Sequence, residues 1–159
     1  MVKGIEMDEQ IIRHACLQLI QKTESVYVST INELGYPQTR VMSNLKNSKL
    51  FERLIDFFSL QINEFVIYLN TNHCSDKMKH IANNPKTCLY YCDFQETHGI
   101  ALTGDMEVIE DNNIRKTLWQ DDWIQFYDGG LYGTDYTILR IIPVSAKGWY
   151  KTRKFEFMI

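Results

Sequence analysis

The sequence predicts a mainly β chain of the α+β class, an antiparallel barrel with appended helices. Three observations predict it. Short strand-type runs recur along the chain between turn residues, and the helical stretches among them are few and mostly short. The longest strand run, Gly99 to Glu110, contains Gly104, the kind of residue at which a barrel strand bends or bulges. The aromatic content is 13%, from 9 Tyr, 8 Phe and 3 Trp, which suits a barrel or sandwich core, a dimer interface or a planar ligand.

The first element is a helix from about Asp8 to Thr23, with Ile11, Ile12, Ala15, Leu19 and Ile20 at helical spacing and Asp8 as its N-cap. Val26 to Ile31 is a strand. Gly35 and Pro37 supply turn chemistry, and Gln38 to Leu45 returns as the second strand of a hairpin. Lys49 to Gln61 reads as a helix with a broad apolar face. Glu64 to Leu69 is the third strand, Asn70 to Lys77 a polar loop, and Asp76 to Asn83 a short helix stopped by Asn84-Pro85. Thr87 to Cys92 and Gly99 to Glu110 are strands four and five. Asp111 to Trp119 is a helix that continues or restarts over Asp121 to Tyr127. Tyr136 to Val144 is the sixth strand, Ala146 to Tyr150 a candidate seventh, and Lys151 to Ile159 a C-terminal tail. The organisation expected is one domain over residues 1–159.

Composition excludes several functions. A chain of 159 residues buries roughly 70% of its unfolded surface and needs no staples. The net charge of -3 gives no argument for a nucleic-acid or anionic-membrane partner. No apolar run approaches a membrane span, and Met1 to Glu6 lacks the apolar core of a signal peptide, so the expected location is cytoplasmic. Cys88 and Cys92 sit about 13 Å apart on one strand face, too far for a disulfide. Buried free thiols are expected for Cys16, Cys88 and Cys92. Cys74, in the polar loop, is the one to test for reactivity. His14, His73, His80 and His98 lack metal-site spacing, and no metal site is expected.

Two segments carry candidate chemistry. In the polar loop, Thr71 and Ser75 offer hydroxyls, Lys77 a cation, and the start of the following helix free N–H groups, a set suited to a phosphate. The same residues also suit a capped helix with a solvated lysine, and Asp76 repels an anion. Upstream, Arg40, Met42 and Asn44 share one strand face, and Val41, Ser43 and Leu45 the other. An arginine in such a strand is either paired, anion-binding, or a surface residue on an edge.

These segments together resemble the pyridoxamine 5'-phosphate oxidase-like FMN-binding split barrels, and within them the bacterial general stress protein branch. The residues that carry the likeness are Thr39 to Asn44, Tyr68 to Asn72 with Ser75-Asp76-Lys77, Asn84 to Tyr91, His98 to Gly104, Leu118 to Gln120, Asp135 to Arg140, and Pro143 with Lys147 to Tyr150. The resemblance covers about residues 8–150. It implies a six-stranded split barrel that forms a homodimer, with FMN at the dimer interface. By that likeness Arg40 and Lys77 hold the FMN phosphate, and Val41, Met42 and Ser43 line the isoalloxazine. Asn70 and Thr71 touch the flavin, Ser75 and Asp76 flank the phosphate or ribityl chain, and Trp149 of a partner subunit covers the ring.

Departures from the pattern narrow the expectation. Asp76 stands where the oxidases have an arginine, Leu45 where they have a substrate-binding lysine, and Gly99 where they have a flavin-contacting glutamine. Their C-terminal arginine- and histidine-bearing motif is absent from Lys151 to Ile159. The expected protein is therefore not a pyridoxamine phosphate oxidase itself but an FMN-dependent oxidoreductase or flavin reductase of unassigned substrate, with a small molecule or nicotinamide as partner. A non-catalytic flavin store or stress-linked sensor, and a haem- or deazaflavin-binding split barrel, are the alternatives.

Overall fold

The computed structural model describes residues 8–159; the Met1 to Glu6 segment discussed above lies outside the described residues. Asp8 caps the first helix as expected, its carboxylate accepting from the Gln10 N–H at 3.0 Å. Helix α1 (Glu9–Lys22) buries Ile12, Ala15, Cys16, Leu19 and Ile20 on one face. Strands β1 (Ser25–Ile31) and β2 (Pro37–Ser43) then form the expected antiparallel hairpin, turned at Gly35, whose φ of 84° suits glycine.

The Lys49 to Gln61 stretch is only partly helical. It contains a 3-10 turn (Glu52–Leu54) and one short helix, α2 (Ile55–Ser59). Its apolar residues are too many for one core face: Leu50, Ile55 and Leu60 are exposed, and Leu54 alone is fully buried. Strand β3 (Ile67–Asn72) runs three residues further than expected, because Asn70, Thr71 and Asn72 pair with Ile138, Thr137 and Tyr136. Helix α3 (Asp76–Asn83) follows the short turn.

Strands β4 (Lys86–Asp93) and β5 (His98–Ile109) form a long hairpin. Helix α4 (Asn112–Leu118) is capped by Asp111, which accepts from the Asn113 and Ile114 N–H groups. Two 3-10 turns (Asp121–Gln125 and Gly130–Tyr132) lead into β6 (Tyr136–Ile141). The chain closes with β7 (Ser145–Tyr150) and β8 (Arg153–Met158). Residues read as a tail are therefore mostly strand. Phe155 and Phe157 alternate inward with period two and are buried, while the residues between them face out.

Six strands run in the antiparallel order β2-β1-β4-β5-β6-β3, and β7 pairs with β5 and β8 with β7 off that path. Strand β5 belongs to two sheets. Its first half pairs with β4 and β7, and Met106 to Ile109 pair with β6. Gly104 falls at the changeover, where an added Cβ would meet the Ile142 carbonyl oxygen at 2.8 Å. The two ends of the path, β2 and β3, come close without hydrogen-bonding to each other. That seam is the split of the barrel.

Strands β3 and β6 divide two cores by their period-two alternation. Ile67, Leu69, Leu139 and Ile141 face the barrel interior with Val26, Val28, Leu89 and Leu102. Val66, Tyr68, Tyr136 and Ile138 face a second cluster with Leu54, Leu118 and Trp123. In the second cluster Trp119, Trp123, Tyr127 and Tyr136 meet mainly edge to face, with centroids 5.0 to 6.3 Å apart. This is where much of the aromatic content is used.

Candidate functional site at the barrel seam

The seam places β2 beside β3 and the start of α3, and brings together residues thirty or more positions apart in sequence. Arg40 lies on the inward-facing side of β2, half-buried. One terminal nitrogen of its guanidinium donates to the Thr30 hydroxyl at 2.7 Å and to the Val28 carbonyl at 3.1 Å. Thr30 is buried on the facing strand, and its oxygen also lies 2.9 Å from Nδ1 of His80, on α3. Arg40 is thereby braced from below, and its remaining N–H groups hold no protein partner among the described residues.

Lys77 approaches from α3. Its ammonium donates to the Thr71 hydroxyl at 2.9 Å, and the Thr71 and Ser75 oxygens are 3.3 Å apart. Ser75 occupies the N-cap position of α3, yet its side chain makes no capping hydrogen bond because it turns to Thr71. No side-chain cap therefore covers the first N–H groups of the helix.

Charge is concentrated here without internal neutralisation. Among the described residues, no carboxylate forms an ion pair with Arg40 or Lys77. Burial lowers the Lys77 pKa, the Arg40 guanidinium lowers it further, and Asp76 opposes both. Burial likewise lowers Arg40, against the pull of Asp76. Asp76 does not occupy the space between them: its side chain is 86% exposed and reaches out to Lys79 at 4.0 Å. As the first residue of α3 it also lies at the positive end of the helix dipole. Two partly desolvated cations, two hydroxyls and a helix start form a donor set matched to a dianionic phosphate.

Other expected residues lie elsewhere. Asn70 and Thr71 are neighbours on β3 and so point to opposite faces. Thr71 joins the cation cluster, while the Asn70 amide donates to the Tyr127 hydroxyl at 2.9 Å on the other side of the strand. On β2, Met42 shares the inward side with Arg40, and Val41 and Ser43 face out. Among the described residues no strand bonds beyond β2, so the backbone of Val41 to Ser43 lies on the free edge at the seam. Trp149 stands on β7, which reaches β2 only across β5, β4 and β1, and is 47% exposed. Within one chain it is not part of the Arg40–Lys77 cluster.

Gly99, the position of the expected glutamine, has a structural reason to be glycine. A Cβ there would overlap the Tyr90 hydroxyl and lie 3.0 Å from its ring carbon Cζ. Of the cysteines, all free, Cys16 is buried and Cys88 partly so; Cys74 is exposed, and Cys92, expected inside, is also exposed. Burial pushes the Cys16 thiol up to about 12, so it stays protonated at neutral pH. No group of three or more metal-ligating side chains occurs among the described residues, and no helix among them is long and apolar enough to cross a membrane.

A barrel of antiparallel strands left open between its end strands, with an anion-suited cluster at the opening, defines an open split barrel. The sequence model of the family described as Pyridoxamine 5'-phosphate oxidase like matches residues 61–159, and the chain belongs to that family. Solved structures share the fold. A Clostridium acetobutylicum protein related to general stress protein 26 of B. subtilis matches with a TM-score of 0.74 and 24% identity, over 96% of this chain and 97% of the other. General stress protein 26 of Bacillus anthracis matches with a TM-score of 0.69 and 17% identity, over 93% and 98%. A nimc/nima family protein of C. acetobutylicum matches with a TM-score of 0.66 and 15% identity, over 92% of this chain and 91% of the other. No curated protein matches the sequence.

Proposed function

We propose that this chain binds FMN at the seam and serves as an FMN-dependent oxidoreductase, working as a homodimer on a small molecule or with a nicotinamide donor. The observation that carries the reading is the pairing of Arg40 with Lys77: two cations with no carboxylate in ion-pair contact among the described residues, the second depressed by burial and by the first, beside an open helix start. The charge that relieves this arrangement is an anion of more than one negative charge, and the phosphate of FMN has that charge. Membership of the family described as Pyridoxamine 5'-phosphate oxidase like supports a flavin as the phosphate's carrier.

In this reading Arg40 and Lys77 hold the phosphate, with the Thr71 and Ser75 hydroxyls and the first N–H groups of α3. Thr30 and His80 hold the Arg40 guanidinium in place. The free backbone edge of Val41 to Ser43 would offer hydrogen-bond partners to polar atoms of the ring. Bound FMN supplies the hydride and electron transfer, and the protein supplies binding, orientation and water exclusion.

The homodimer is supported by an exposed apolar band on the outer sheet face. Val41, Tyr27 and Tyr90 sit on adjacent strands, Val41 opposite Tyr27 and Tyr27 opposite Tyr90, at 59%, 46% and 42% exposure, and Trp149 lies beyond them on β7.

The visible spectrum of protein purified without added cofactor tests the reading. A flavin spectrum that bleaches with NADH or NADPH is expected. A flavin that resists both nicotinamides points to a store or sensor. A Soret band, a deazaflavin spectrum, or a colourless protein indifferent to added FMN overturns the FMN assignment.

A further inference from the structure

A recess of about 340 Å3 opens between the end of α1, the turn after β2 and helix α2. Leu17, Phe51, Ile55 and Phe58 form its apolar wall, and Gln21 and Ser48 add an amide and a hydroxyl. Lys46 lines it too, and it is unusual for a lysine: only 9% of it is exposed. Its ammonium donates to the Glu64 carbonyl oxygen and lies 5.2 Å from the centroid of the Phe58 ring. No carboxylate lies within 4.0 Å of it among the described residues, so a buried cation is met directly by one carbonyl dipole and an aromatic face, and the Glu64 carboxylate acts on it only from beyond ion-pair distance. A buried charge in that state carries a desolvation penalty that an anion would offset.

We propose that this recess binds a small organic carboxylate with an aromatic or branched aliphatic tail, its carboxylate on the Lys46 ammonium and its tail against Phe51, Ile55 and Phe58. The division of the lining fits that ligand class: one buried cation, one carboxylate (Glu64) outside ion-pair distance of it, neutral polar groups, and an otherwise hydrocarbon wall. An inorganic anion would leave the wall unused, and a neutral hydrocarbon would leave the ammonium unpaired. Burial pushes the Lys46 ammonium down to about 8, against the pull of Glu64. Lys46 and Glu64 are the titratable residues lining the recess. The inference stands apart from FMN binding, since none of the recess residues belongs to the seam cluster.

Titrating phenylacetate and its uncharged analogue phenylacetamide into the full chain by calorimetry tests it. Phenylacetate is expected to bind saturably at neutral pH, and phenylacetamide at least about tenfold more weakly, the effect of losing one charge-assisted contact. Lys46→Met should abolish the preference for the acid, and Glu64→Gln, which removes a competing anion, should strengthen it. Phenylacetate affinity should fall by about tenfold per pH unit above about pH 8, as the free amine loses its proton. Equal binding of acid and amide by the wild-type chain, or no saturable heat from the acid at millimolar concentration, overturns the proposal. That comparison uses the wild-type chain alone and so decides even if Lys46→Met fails to fold.

Discussion

Arg40 and His80 meet through one hydroxyl: the Thr30 oxygen accepts from Arg40 at 2.7 Å and lies 2.9 Å from His80 Nδ1. A residue on β1 thus ties the arginine of β2 to the helix that carries Lys77. Thr30→Val keeps the shape but leaves both partners short of a hydrogen bond in a buried setting. It is expected to destabilise the chain by about 1–3 kcal/mol in urea unfolding. It should also weaken FMN binding while leaving riboflavin binding unchanged, because the hydroxyl acts through Arg40.

Each cation of the pair should matter separately. Arg40→Ala and Lys77→Ala are expected to reduce FMN affinity about ten- to a hundredfold each, read by quenching of flavin fluorescence. The two effects should be non-additive, because both cations would act on one phosphate group.

Lys46 predicts a pH dependence of stability. Its folded pKa, about 8, lies below the unfolded value of about 10.4. Between the two the unfolded chain binds more protons, so this group's contribution to stability rises with pH through that window. Its full penalty is present below about pH 8. Lys46→Met should therefore gain on the wild type at about pH 7 by roughly 2–3 kcal/mol more than at about pH 10.5, measured by urea unfolding of both proteins. An equal difference at both pH values would mean that the lysine is not desolvated.

Gly148 on β7 tests the close packing of the sheet. A Cβ there would overlap the Gly99 carbonyl oxygen and sit 2.9 Å from its carbon, so backbone and not a mobile side chain must yield. Gly148→Ala is expected to cost at least about 2 kcal/mol in urea unfolding. Gly35→Ala should cost less than that, because nothing stands within 4 Å of a Cβ there and only the positive φ resists.

Much of this was legible in the chain. The strand run from Val26 to Ile31 is β1 to within one residue, and Asp8 and Asp111 marked helix starts that the structure confirms. What was missed depended on partners far away in sequence. Asn70 to Asn72 read as loop because they are polar, and they are strand because β6, more than sixty residues later, pairs with them. The last residues read as a tail although Phe155 and Phe157 already showed period two; their pairing with β7 decides the matter. At the site, Arg40 and Lys77 were visible as residue types, but the bracing by Thr30 and His80 was not. Thr30 sits in an apolar strand with no motif around it, and only the fold of α3 against β1 brings His80 to it.

FMN binding as proposed turns on recognition of its phosphate by the Arg40–Lys77 seam. Titrating cofactor-free protein with FMN and with riboflavin, which lacks the phosphate, measures that directly. Wild-type protein is expected to bind FMN at least about tenfold more tightly than riboflavin, and the preference to disappear when Arg40 and Lys77 are both replaced by alanine. Equal affinity for the two flavins in wild-type protein, or a preference for FMN that survives both replacements, would contradict it.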